Sequence, residues 1–201
     1  MIHYTPLPLG DPDRSIDLPG SPALNAPFLA LDAPALEAMT DFRRMPAISV
    51  LATTQIDIAL ERMIFSGVRL LFVVDVKLSL LGSISSYDIQ NEKPMLYLQS
   101  LDCRIATCSR ADVAVRDIME PVSKWQVLNY EDLGGANIGN LVQTLKDQAR
   151  RHIIVVETPR GGAPVVRGMI SASFLERALG TTIQTADSAR SFAEIERALV
   201  R

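Results

Sequence analysis

Between Thr53 and Val68 the apolar residues fall at Ile56, Leu60, Met63 and Ile64, with Gly67 closing the run. That spacing predicts one face of a helix, which Thr53 or Thr54 can cap at its start and Gly67 can end. The next stretch, Leu70 to Val74, is apolar without polar alternation, as expected of a strand covered on both faces. Asp75 to Ser79 then turns the chain, and Leu80 to Ser85 returns as a second strand. Ser85 or Ser86 can cap a following helix that runs toward Tyr97 and is bent near Pro94. Upstream, a short helix is predicted over Ala35 to Phe42, followed by Pro46 and a strand at Ala47 to Val50.

The same pattern returns further along the chain. Ile56, Leu60, Met63 and Gly67 recur 82 residues later as Ile138, Val142, Leu145 and Ala149, and Arg69, Val73, Val74 and Asp75 recur as Arg151, Val155, Val156 and Glu157. The offset then becomes 86, matching Gly82, Ile84 and Ser85 with Gly168, Ile170 and Ser171, because Thr158 to Val166 makes a longer turn around Gly161 and Gly162. An insertion confined to a turn is what a structural repeat shows. Trp125 to Asn129 takes the place of the first strand in the second copy, and a helix over Val113 to Met119 precedes it. Each copy therefore reads β-α-β-β-α. A unit of roughly 60 residues buries little surface alone, so two such units are expected to pack sheet against sheet.

Composition bounds the function. The chain has 201 residues, 48% of them hydrophobic, and its 20 basic and 23 acidic residues give a formal charge of −3. This argues against the basic field that nucleic acid or anionic lipid requires. Its apolar runs are far short of the ~20 residues of a bilayer span, and the acidic, proline-rich start is unlike a signal peptide, so a cytoplasmic protein is expected. Residues 1–37 carry Pro6, Pro8, Pro12, Pro19, Pro22, Pro27 and Pro34 and read as an extended arm, yet Phe28, Leu29 and Leu31 are apolar enough to lie on a core or a partner. Cys103 and Cys108 fit neither a redox nor a zinc spacing, and no metal site is expected. Past Thr181, Asp187 or Ser188 can cap a last helix with Phe192, Ile195 and Leu199 on one face. The division expected is an arm (1–37), a first motif (38–110), a second motif (111–180) and a helical extension (181–201).

The ordered pair, GVRLLFVVD with LLGSISSYDI and then VRDIMEP, ARRHIIVVE and VRGMISASFLER, resembles a tandem pair of cystathionine β-synthase (CBS) motifs over roughly Met39 to Gly180. The run DIQNEKP also resembles stand-alone bacterial members of that family. The resemblance implies an α+β fold in which two pseudo-symmetric motifs pack as one Bateman module. It further implies a homodimer and two clefts that bind AMP, ADP, ATP or S-adenosylmethionine, with no cofactor required. In the family pattern a Ser or Thr, then an Asp three residues on, mark a cleft. Ser85 and Asp88 fit it, and Ser171 fits in the second copy, but Phe174 stands where the acid belongs.

From the residues themselves, Asp88 lies one helical turn past the strand end, where its carboxylate can reach ribose hydroxyls or serve only as a first-turn acid favoured by the helix dipole. Ser85 can cap the helix and touch ligand. The resemblance further implies that Ala47 and Ile48, with Val68 and Arg69, lie around the base, and Val127 corresponds to them in the second copy. Trp125 or Phe174 can stack on a base or pack in the core. Arg150, Arg151 and His152 form the most basic cluster and suit phosphate, or are a solvated helix end. With no nucleophile elbow, P-loop or HExxH motif, no enzyme is expected. The expectation is a regulatory sensor acting on an unidentified regulated protein. The alternative is a protein-interaction scaffold with degenerate clefts.

Overall fold

The computed structural model describes residues 28–101 and 109–183. The last predicted helix, both cysteines and most of the arm lie outside them. In the first half, β2 (Ser49–Leu51) leads to α1 (Ile56–Ser66), β3 (Leu70–Val74), β4 (Leu80–Ser85), α2 (Ser86–Gln90) and α3 (Lys93–Ser100). In the second half, β6 (Val127–Asn129) leads to α5 (Ile138–Asp147), β7 (His152–Glu157), β8 (Val165–Ser171) and α6 (Ala172–Leu179). In each half the first strand runs parallel to the second and the third returns antiparallel, with a register shift at Val73/Val74 in one and Val155/Val156 in the other. The β-α-β-β-α repeat is present in both.

The lead-in segments correct the prediction. Residues 35–42 do not form a helix; a 3-10 turn at Ala35–Ala38 gives way to strand β1 (Met39–Asp41). The segment before the second motif does form the expected helix, shortened to α4 (Val115–Ile118), and the unforeseen element there is the strand that follows, β5 (Glu120–Pro121). Both strands cross to the other half: β1 pairs antiparallel with β8, and β5 with β4. The sheets are therefore four-stranded, β2-β3-β4-β5 and β1-β8-β7-β6. Close approach of the crossing strand requires glycine opposite it. A Cβ on Gly82 would lie 2.3 Å from the Glu120 carbonyl oxygen, and one on Gly168 would lie 2.5 Å from that of Thr40.

The lead-ins also supply helix starts. Instead of a threonine cap, Gln55 begins α1 with no side-chain bond, and the Ile56 amide donates to the carbonyl of Val113. In the second half the amides of Ile138 and Gly139 donate to Ala33 and Leu31. Backbone acceptors from the opposite lead-in thus satisfy groups that a helix leaves unpaired. At the other end, Gly67 ends α1 in the left-handed region, and Ala149 adopts the same conformation after α5 (φ 51°).

Three apolar clusters hold the layers. Leu71, Val73 and Ile84 face Ile56, Ala59 and Met63 of α1, joined by Val113, Val115 and Ile118 from the second lead-in. Ile153, Val155 and Ile170 face Ile138, Leu141 and Leu145 of α5, joined by Ala35 and Ala38 from the first. Between the sheets, Leu70, Phe72 and Ile154 meet with Phe42 and Trp125. Strands β3 and β7 are covered on both faces, which is why their sequences do not alternate. The described end of the arm is packed: the amides of Phe28 and Leu29 donate to Ala178, and Phe28 meets Phe174 edge-on at 6.2 Å. Phe174 is thereby committed to packing.

Candidate functional site

A cavity of about 710 Å³ opens where the end of β4 and the start of α2 face the entry to β6 and the α5–β7 junction. Leu70, Ile154 and Trp125, continuous with the inter-sheet cluster, give it an apolar wall. The Trp125 ring also meets Phe72 edge-on at 6.1 Å, while its buried Nε1–H has no acceptor among the described residues.

Across from that wall is the first βα junction. Ser85 caps α2, its Oγ accepting from the Asp88 amide at 3.2 Å, while Asp88 Oδ2 accepts from the Ser85 amide and hydroxyl, both at 2.7 Å. This reciprocal box uses one carboxylate oxygen. The other, Oδ1, is paired with the Lys93 ammonium at the start of α3. The corresponding Ser171 begins α6 without a side-chain cap bond, and with Phe174 three residues on there is no acid to return one.

The basic cluster is already paired. Arg150 Nη1 donates to both carboxylate oxygens of Glu120 at 3.0 Å. Arg151 holds Glu176 through two bonds of 2.9 and 2.7 Å, lies 5.7 Å over the Tyr87 ring, and its buried Nε–H has no acceptor among the described residues. Burial alone would raise the Glu176 carboxyl, but the Arg151 bond, the Ile183 amide and the charges of Arg151 and Arg69 together hold it below the usual range. His152 is pushed down to about 4, first by desolvation and then by Arg151 and Arg69, against the opposing pull of Asp88. It is neutral at pH 7.

Of the residues singled out in the sequence, Ser85, Asp88, Arg150, Arg151 and His152 line this cleft together. Ala47, Ile48, Val68, Arg69, Val127 and Ser171 do not. Ala47 and Ile48 precede β2 just as Trp125 and Gln126 precede β6, so the cleft of Asp88 receives the second half's strand entry in place of the first's. Val68 and Arg69 belong with the other βα junction, where Arg69 donates to Ser173 Oγ at 3.3 Å. Exposed Val127 lies on β6 beyond the cavity, and Ser171 sits at the start of α6. Glu120 was not singled out; only its place opposite Ser83, matching Thr40 opposite Met169, marks it.

Two repeated halves that exchange lead-in strands and set a Ser-x-x-Asp junction of one against the strand entry of the other complete the architecture. The fold is that of a tandem CBS pair. No family model matches the sequence, and neither does any curated protein. Among solved structures, the chain is similar to an uncharacterized conserved protein from Pyrococcus horikoshii, at 19% identity and a TM-score of 0.49, over 75% of this chain and 94% of that one. It is also similar to the CBS-pair protein CBSX2 from Arabidopsis thaliana, at 21% identity and a TM-score of 0.44, over 82% and 97% of the two chains. A structure of CBSX2 in complex with AMP aligns at 21% identity and a TM-score of 0.46, over 73% and 95%. Among the described residues, no helix is long and apolar enough to cross a membrane.

Proposed function

We propose that this CBS pair is a non-catalytic regulatory sensor, a cytoplasmic homodimer that binds an adenosine-type ligand (AMP, ADP, ATP or S-adenosylmethionine) in the cleft of Ser85 and Asp88 and signals to a regulated protein. The observation that carries this reading is the state of the Asp88 carboxylate. Its Oδ2 is fixed by the capping box, so the group is held at the cleft mouth, while Oδ1 is held only by Lys93, whose side chain is 47% exposed. An exposed ion pair of this kind contributes only ~0–1 kcal/mol and exchanges readily. Ribose hydroxyls can take Oδ1 and leave Lys93 for a phosphate, while the base lies along Leu70, Ile154 and Trp125. The exposed Ile58, Ile64 and Phe65 of α1 support a self-association face, since their counterparts on α5 are Asn140, Lys146 and Asp147.

Because the walls come from both halves, a ligand that touches both favours the packing in which it fits best, and only that difference in affinity can shift the equilibrium. The test is calorimetric titration with AMP, ADP, ATP and S-adenosylmethionine. Asp88→Ala is expected to lose ~1–3 kcal/mol of affinity with the loss of the charged acceptor. Ser85→Ala, which removes the cap hydroxyl but leaves the carboxylate, controls for the helix start. Unchanged affinity in Asp88→Ala, or no binding of any of the four at millimolar ligand, overturns the reading.

A further inference from the structure

Every cation lining the cleft is already held by a carboxylate: Lys93 by Asp88, Arg150 by Glu120, and Arg151 by Glu176. Glu92 adds another acid at the rim with no cation within 4 Å among the described residues. The lining therefore sets three cations against three carboxylates, Asp88, Glu92 and Glu120, while Glu176 holds Arg151 from outside it, and His152 adds no charge at neutral pH. Polyphosphate sites work the other way, offering several unspent donors to each phosphate. Ribose binding at Asp88 would release Lys93 alone. Arg151 stays with Glu176 in a two-point bond on a side chain only 11% exposed.

Arg150 is the remaining donor, and Glu120 decides whether it is available. Both Glu120 oxygens lie on one Arg150 nitrogen, and the Glu120 backbone is locked against β4 at Gly82, where there is no room even for a methyl group. The carboxylate therefore cannot withdraw with its strand. Its counterpart in the other half is the uncharged Thr40, so this arrangement belongs to one cleft only.

We infer that the cleft takes an adenosine-type ligand bearing at most one phosphate, and that Glu120 sets this limit by holding Arg150. A second or third phosphate would approach Glu120 with no cation left to meet it. The inference rests on the ribose being held at Asp88, as proposed above.

The experiment is titration of the full chain with adenosine, AMP and ATP in a chelator-containing buffer, so that ATP keeps its charge. For the unaltered protein, AMP is expected to bind at least tenfold more tightly than ATP. Glu120→Gln keeps the shape, frees Arg150 and is expected to improve ATP relative to AMP by tenfold or more. Glu92→Gln removes the same charge from the rim without freeing an arginine and is expected to leave that ratio within about twofold. ATP binding as tightly as AMP in the unaltered protein overturns the inference while leaving the adenosine reading intact. So does an equal change of ratio in both variants. Silence from all three ligands overturns both.

Discussion

Replacing His152 with Gln gives a direct measure of what it costs the fold to keep an imidazole neutral in the cleft. The ordinary histidine value is 6.5, and in the folded protein it falls to about 4, with desolvation the first cause and Arg151 the second. Above pH 6.5 the folded and unfolded chains both hold neutral imidazole. Between 6.5 and 4 only the unfolded chain takes up the proton, so stability falls as pH drops through that window. At ~1.4 kcal/mol per pH unit, the displacement comes to about 3 kcal/mol. Because the half-buried side chain keeps some solvent contact, that figure is an upper value. Urea unfolding from pH 7.5 to 4 checks it, with the unaltered chain expected to lose up to this amount more than His152→Gln. Asp41 and Glu176, whose carboxyls are held below their usual range, lose their stabilising charge at still lower pH in both proteins and cancel in the difference. Parallel stability curves, or an imidazole midpoint near 6.5 by NMR titration, would refute the reasoning.

Two further substitutions test how the halves are joined. Gly168→Ala is expected to destabilise by about 1–3 kcal/mol in denaturant unfolding, because its methyl would meet the Thr40 backbone carbonyl, which cannot swing aside as the nearby Met39 side chain can. Gly82→Ala should behave alike, and should also displace Glu120 and so alter Arg150. Ala149→Gly is expected to stabilise by up to about 1 kcal/mol, since relief of the left-handed cost of ~1–2 kcal/mol outweighs the greater freedom of glycine in the unfolded chain.

The repeat was readable because its signals are local. The α1 and α5 faces keep their spacing, β3 and β7 lack alternation, and Ser85 with Asp88 stands where a capping box belongs. Strands β1 and β5 were not readable: at three and two residues they are too short to show a period, and their partners lie far away in sequence. The same distance hid the pairing of the arginines. Nothing beside Arg150 or Arg151 in the chain points to Glu120 or Glu176, so a basic run suggested open phosphate donors where the fold supplies closed ion pairs. The resemblance likewise suggested Ala47, Ile48, Val68 and Arg69 around the base in the cleft of Asp88, whereas the fold brings Trp125, Gln126 and the α5–β7 junction to that cleft.

The exchange of lead-in strands has a consequence for how the chain can come apart. A cut between residues 101 and 109 would leave each fragment with a strand that belongs in the other's sheet, and with helix amides that find their acceptors only in the other piece. Neither fragment would be a finished domain. Together they should reassemble as a two-part complex, held by the same strand pairings and amide bonds that join the halves of the intact chain. A fold built this way cannot relax one half without loosening the clasp that completes the other.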